Sequence, residues 1–349
     1  MDWYSLLKTL IGIPAPPGQE GQLRAFLMDE VGRLNLSSRV DARGNLLFGF
    51  SEDAFVRPSV VVMAHLDEIA MCVTAVNDDG QLSITNLGGL YPWKCGEGPV
   101  DILLGDSSVV PGILSFGSIH TDDARSTAVR ARTNALTWDG ARIFTGLNQT
   151  ECNALGIRPG TRVVLGNARR TIHELGDYIA APFLDDRADI VAMLLAAAAL
   201  ASDTETHSRV LFAATVSEEV GGHGAQYLLR QVNAPVAIAL EIAPNVIDAP
   251  VEMTSAPSLW VKDSFCAMQA SDIDIVEEVA RDQNITLQYQ SFSRGGSDAS
   301  CAAASGLVAR PFTLAFPAEN SHGVEITHKD SIVQLSRLAT ALISRVVRE

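Results

Sequence analysis

Val60-Val61-Val62-Met63-Ala64-His65-Leu66-Asp67 is the stretch on which the reading of this chain turns. Residues 60–64 are continuously apolar, as a strand buried on both faces must be, and such runs belong to parallel sheets covered by helices. A histidine and an aspartate follow at the carboxyl end of the run, where open parallel sheets gather their ligands. Residues i and i+2 of an extended segment face the same way, so Asp67 is placed to accept a hydrogen bond from His65. That bond would fix the imidazole tautomer and leave the other ring nitrogen for a metal ion. Alone, the motif describes a satisfied core histidine equally well, so its meaning depends on the rest of the chain.

Outward from this strand the chain reads in three parts. Before it, Trp3, Leu6, Leu7, Leu10 and Ile11 recur at helical spacing, Pro14-Ala15-Pro16-Pro17-Gly18 breaks the chain, and residues 19–34 resume a helical pattern. Short extended runs are expected at 38–41 and 46–50. From about 72 to 178 the character changes to short β-like runs (72–76, 82–87, 100–104, 109–116 and 161–165). Asp79-Gly80, Gly88-Gly89, Pro111-Gly112 and Pro159-Gly160 punctuate them, which predicts a small β-domain. After Tyr178 strands and helices alternate: helices over 188–200, 224–231, 271–283 and 329–347, strands over 210–216, 236–242 and 307–316. That rhythm predicts a mainly parallel, helix-covered sheet. The fold expected is therefore α/β, interrupted by a β-rich insert.

Composition narrows the function. The 349 residues are 47% hydrophobic and 19% charged, with 26 Lys plus Arg against 41 Asp plus Glu, a net charge of −15. A folded globular chain is expected, and one without the clustered basic residues that bind a phosphate backbone, so no nucleic acid partner. The five cysteines (Cys72, Cys95, Cys152, Cys266, Cys301) are odd in number and scattered, which argues against a disulfide framework or thiolate zinc site and fits a reducing, cytoplasmic compartment. No signal peptide is visible, and the apolar run 190–201 falls short of the roughly 20 residues of a membrane span, so no membrane partner is expected.

Further acids and one histidine sit where strands end. Asp185-Asp186-Arg187 opens the Ala-rich helix, where aspartates commonly cap, although Asp185 could equally offer its two oxygens to two metal ions. Glu218-Glu219 follows the apolar strand 211–216; adjacent carboxylates repel unless something cationic compensates. Glu241 follows the apolar run 236–240, and His322 lies in the loop after 312–316. Gly295-Gly296-Ser297-Asp298 reads as a turn and helix N-cap with no nucleotide fingerprint. His120, His173, His207, His223 and His328 lack a comparable strand-end setting. Two histidines and three carboxylates form a donor set suited to zinc, cobalt or manganese.

Taken together, the stretches Val62-Met63-Ala64-His65-Leu66-Asp67-Glu68-Ile69, Leu184-Asp185-Asp186-Arg187, Ser217-Glu218-Glu219-Val220-Gly221, Gly295-Gly296-Ser297-Asp298 and the late His322 resemble the tetrahedral (TET) or glutamyl aminopeptidase family of di-metal, clan MH metallopeptidases. The resemblance covers nearly the whole chain. It implies a phosphorylase/hydrolase-like three-layer α/β/α catalytic domain over residues 1–71 and 179–349. It also implies a barrel-like insert over 72–178 that serves dimerisation and substrate access. It further implies two divalent ions per chain (Zn, Co or Mn), with His65 and Glu219 on different ions, Asp185 bridging, and Glu241 and His322 completing the shells. Asp67 would orient His65, and Glu218 would be the general base for a hydroxide that removes N-terminal residues from short peptides. Such proteins commonly form dimers that assemble into tetrahedral dodecamers.

The chain departs from the family pattern at three places. Glu241, in Leu240-Glu241-Ile242-Ala243-Pro244, stands where Asp is usual; His223 stands in the place of the usual Leu-Arg; residues 121–141 match the insert poorly. Glu at position 241 is more typical of carboxypeptidases and deacylases, which makes a deacylase or carboxypeptidase acting on N-acyl amino acids or dipeptides the alternative activity. A non-catalytic assembly protein with the same fold is a third reading.

Overall fold

Four parallel strands, Val210–Thr215, Val60–His65, Val236–Pro244 and Arg310–Ala318, lie side by side at the centre of an eight-stranded sheet. Leu46–Gly49 and Ser37–Val40 extend it antiparallel at one edge. At the other edge Ser258–Lys262 pairs antiparallel with Arg310–Ala318, and Gln288–Ser291 completes the order. The computed structural model describes residues 2–105 and 108–349.

The unbroken apolar runs are explained by what covers each face. Val60, Val62, Ala64, Phe212 and Ile238 pack with the helices Trp3–Gly12, Gly21–Arg33, Leu184–Leu200, Ala270–Asp282 and Ser331–Val347. Val61, Met63, Leu211, Ala213, Ala237 and Ala239 point the other way, toward His223–Val232 and Asp298–Ala304. The result is a three-layer α/β/α arrangement, in which a strand must be apolar at every position because both faces are dry. Helix Leu184–Leu200 is buried along nearly its whole length, which accounts for its lack of a polar face. The edge strands 258–262 and 288–291 were not expected from sequence; in the second, Gln288, Gln290 and Ser291 give no apolar run to read.

The chain divides into two compact units, Met1–Asp67 with Ile172–Glu349, and Glu68–Thr171. The insert thus ends at Thr171 rather than near 178, because His173–Leu175 and Tyr178–Pro182 join Val324–His328 in a three-stranded antiparallel sheet of the first unit. The second unit is a closed six-stranded barrel: Ala70–Val76, Leu82–Leu87, Arg142–Phe144, Val109–Ser115, Gly98–Leu103 and Arg162–Leu165. Its strands alternate, with Leu82, Ile84, Val100, Ile102, Leu114 and Ile143 buried and Ile113 and Phe144 exposed. Within it Arg170 Nη1 donates to Glu68 Oε1 at 2.8 Å, a fully buried ion pair. Among the described residues no helix is long and apolar enough to cross a membrane.

Candidate metal centre

The carboxyl ends of the central parallel strands converge, and each delivers a polar side chain that the apolar run before it could not have placed elsewhere. His65 ends its strand and Glu241 lies within Val236–Pro244, while Glu218-Glu219 and His322 occupy the turns after Thr215 and Ala318. Asp185 enters from the start of helix Leu184–Leu200, where Asp185 and Asp186 have non-helical backbone and share a cis peptide. Phe183, Ser217 and His322 adopt positive φ (63°, 59° and 59°), a costly conformation for non-glycine residues that persists where surrounding structure over-determines it. Gly224 permits the turn after Glu219: a Cβ there would lie 2.4 Å from both Asn45 Oδ1 and the Val216 carbonyl.

Asp185 is the hub. Its Oδ1 lies 3.0 Å from His65 Nε2 and its Oδ2 3.5 Å from His322 Nε2, and His322 Nε2 is 3.7 Å from Glu219 Oε1. Among the described residues, two groups offer ligand atoms within 4.8 Å of one another: His65, Asp185, Asp186 and Glu241, and Asp185, Glu219 and His322. Asp185 belongs to both. His65, Asp185, Glu219, Glu241 and His322, read from the sequence as candidate ligands, are thus brought together, and Asp186 joins them. The adjacency Asp185-Asp186 was the available signal for it, but side chains of neighbouring residues ordinarily diverge, and only the non-helical turn brings both inward.

Asp67 is placed differently from the expectation. The His65 ring donates through its Nδ1–H to the Asp67 backbone carbonyl at 3.0 Å, while the Asp67 carboxylate stands 3.7 Å off. That carboxylate instead accepts the backbone N–H groups of Glu218 (2.9 Å) and Glu219 (3.1 Å), one on each oxygen. Arg187, fully buried, donates to the Leu66 carbonyl at 2.6 Å and so braces the segment between His65 and Asp67. Neither role was read from the sequence, because both depend on backbone groups whose positions only the fold defines.

The electrostatics are those of an acid cluster short of positive charge. Burial pushes the Glu218 carboxyl well above its ordinary range, opposed by His65 and reinforced by Asp298 and Glu219. Burial likewise raises Glu241 well above the usual value, and Glu219 to about 7. Asp189 and Glu325 are raised to about 8 and Asp298 to about 6, again chiefly by burial. Asp185 is the exception: burial opposes its charge, but hydrogen bonds with His322 and His65 hold its carboxyl below the ordinary range. For His65, burial disfavours the charged ring, yet the bond to Asp185 and the neighbouring carboxylates keep its pKa well above normal. Asp186 Oδ1, Asp298 Oδ1 and both Asp189 oxygens are buried without a hydrogen-bond partner among the described residues. Buried carboxylates cost several kcal/mol each, roughly, unless paired or bound to metal, so this donor set fits divalent cations.

A sheet of this architecture with hard and borderline donors at its carboxyl edge has the donor set of a divalent-metal centre. Residues 44–338 match the family model described as M42 glutamyl aminopeptidase, and the chain belongs to that family. It is accordingly an aminopeptidase, a peptide-bond hydrolase, and family membership implies divalent metal ions. A lysyl aminopeptidase of Pyrococcus furiosus is 26% identical over 358 residues, covering 99% of this chain and 98% of that protein. A glutamyl aminopeptidase of Lactococcus lactis is 24% identical over 247 residues, covering 70% of this chain and 67% of that protein. In fold, the chain is similar to the TET1 peptidase of Pyrococcus horikoshii, which can assemble into a tetrahedron or a large octahedral shell. The TM-score is 0.85 at 24% identity, covering 98% of this chain and 99% of that one.

Proposed function

We propose that the chain removes N-terminal residues from short peptides with two divalent ions per chain, one held by His65, Asp185 and Glu241 and the other by Asp185, Glu219 and His322. The sharing of Asp185 between two groups of ligand atoms carries this reading. Bound ions of this kind polarise the scissile carbonyl and make a water-derived nucleophile available near neutral pH. Zinc, cobalt and manganese all suit the imidazole and carboxylate donors.

Glu218 is the general base. It stands beside the ligand residues without belonging to either group, and its burial raises its affinity for a proton, which suits a carboxylate that must accept one near neutrality. It takes the proton from the attacking water and delivers it to the departing amine. Asp67 holds the Glu218-Glu219 main chain in place through its two accepted N–H bonds. Working in the cytoplasm, the chain would assemble through its barrel unit into dimers and then a tetrahedral dodecamer; the large shells formed by the similar TET1 peptidase of Pyrococcus horikoshii support an assembly of that kind.

The test is direct. Purified protein loaded with zinc, cobalt or manganese is assayed on a peptide library and on the same peptides N-acetylated, with metal content measured in parallel. Two ions per chain and cleavage confined to free α-amines are expected. Cleavage of acetylated substrates alone would overturn the aminopeptidase reading in favour of a deacylase.

A further inference from the structure

We propose that Glu325 is a positioning residue of this centre, whose carboxylate locks the backbones of Asp185 and His322 together and so sets the second group of ligand atoms. Glu325 is 1% exposed and lies on strand Val324–His328, three residues beyond His322. Its Oε2 accepts the Asp185 N–H at 3.0 Å, and its Oε1 accepts the His322 N–H at 2.9 Å. Each oxygen thus serves a different ligand-bearing segment.

Those segments need such a tie. Asp185 has non-helical backbone ahead of the regular part of its helix, and His322 sits at φ 59° in the turn between Arg310–Ala318 and Val324–His328. Glu325 itself is anchored, because its strand pairs with Tyr178–Pro182 and places Glu325 opposite Ala181. Along the strand Glu325 and Thr327 are buried while Val324 is exposed, so the alternation turns the carboxylate inward. Asp185 also faces both His65 (3.0 Å) and His322 (3.5 Å), so a displaced Asp185 main chain would disturb both groups at once.

The inference rests on the two-ion reading above, and the experiment separates the two. Full-length wild type, Glu325→Gln and Glu325→Asp are stripped of metal and titrated with cobalt by calorimetry and visible absorption, with kcat and KM measured after loading. Glutamine keeps the volume but turns an –NH2 toward one of the two N–H groups; aspartate keeps the carboxyl group but draws it back by one methylene. For both, binding of the second cobalt ion is expected to weaken about 10- to 100-fold. The cobalt spectrum should change, and kcat should fall with little change in KM. Thr327→Val, which loses the bond to the Pro317 carbonyl on the same strand, should lower thermal stability and leave cobalt affinity unchanged. A folded Glu325 variant that binds two cobalt ions with wild-type affinity and spectrum overturns the proposal. Wild type that takes up no cobalt overturns the two-ion reading, and this proposal with it.

Discussion

Adjacent glutamates of one turn should fail in opposite ways. The Asp67 carboxylate accepts the N–H of Glu218 at 2.9 Å and of Glu219 at 3.1 Å, so replacing either side chain by isosteric glutamine leaves the main-chain hold unchanged. Only the side-chain role then differs. Glu219 belongs to the second group of ligand atoms and Glu218 to neither. Glu218→Gln should retain two ions per chain yet lose the base, which contributes about 10²–10⁴-fold to turnover. At about 1.4 kcal/mol per decade, this amounts to roughly 3–5 kcal/mol of barrier. Glu219→Gln removes one of three donor residues and should bind one ion tightly and the second weakly. The assay is metal content by mass spectrometry on dialysed protein, with kcat measured on a panel of aminoacyl p-nitroanilides at saturating metal. A Glu218→Gln protein within tenfold of wild-type kcat, or one that loses an ion, refutes the assignment of roles.

Asp67→Asn can accept only one of the two N–H bonds, while the His65 contact to the backbone carbonyl survives. Losing one charged-acceptor bond is worth about 1.5–3 kcal/mol, so kcat should fall about 10- to 100-fold with metal content intact. Loss of an ion would instead mean that the carboxylate orients His65. Chelation should lower the melting temperature: an ion held at 100 times its dissociation constant stabilises by about 2.7 kcal/mol, roughly 5–10 °C for a unit of this size. An unchanged melting curve, read by scanning calorimetry with and without chelator, contradicts a loaded centre. In the barrel, Arg170→Met should cost about 3–5 kcal/mol by stripping Glu68 of its buried partner. The Glu68→Met, Arg170→Met double variant should recover much of that loss in urea unfolding, and a double variant worse than the single would refute the pairing.

Much of the centre was legible because parallel sheets advertise their ligand sites. A dry strand must be apolar throughout, so the first charged or imidazole residue after it marks the carboxyl edge, as with Val60–Ala64 before His65 and Val236–Leu240 before Glu241. What escaped notice depended on backbone geometry. Asp186 faces the cluster because of a non-helical turn, Arg187 binds a carbonyl, and Glu325 binds the N–H groups of two segments far apart in the chain. The insert boundary was displaced for a similar reason: His173–Leu175 and Tyr178–Pro182 form a sheet with Val324–His328, some 150 residues later, and so belong to the first unit.

The sequence by itself determined the α/β class, the β-rich interruption and the identities of the strand-end acids and histidines, since burial on two faces and polarity at strand ends are written residue by residue. Tertiary structure decided which of those residues share an ion-sized space and which serve others. Asp67 is the clearest instance: the sequence places it beside His65, yet its carboxylate reaches 151 and 152 residues along the chain to the Glu218 and Glu219 main chain. Hydrogen-bond partners of that kind are fixed by the packing of neighbouring parallel strands, and no local pattern records them.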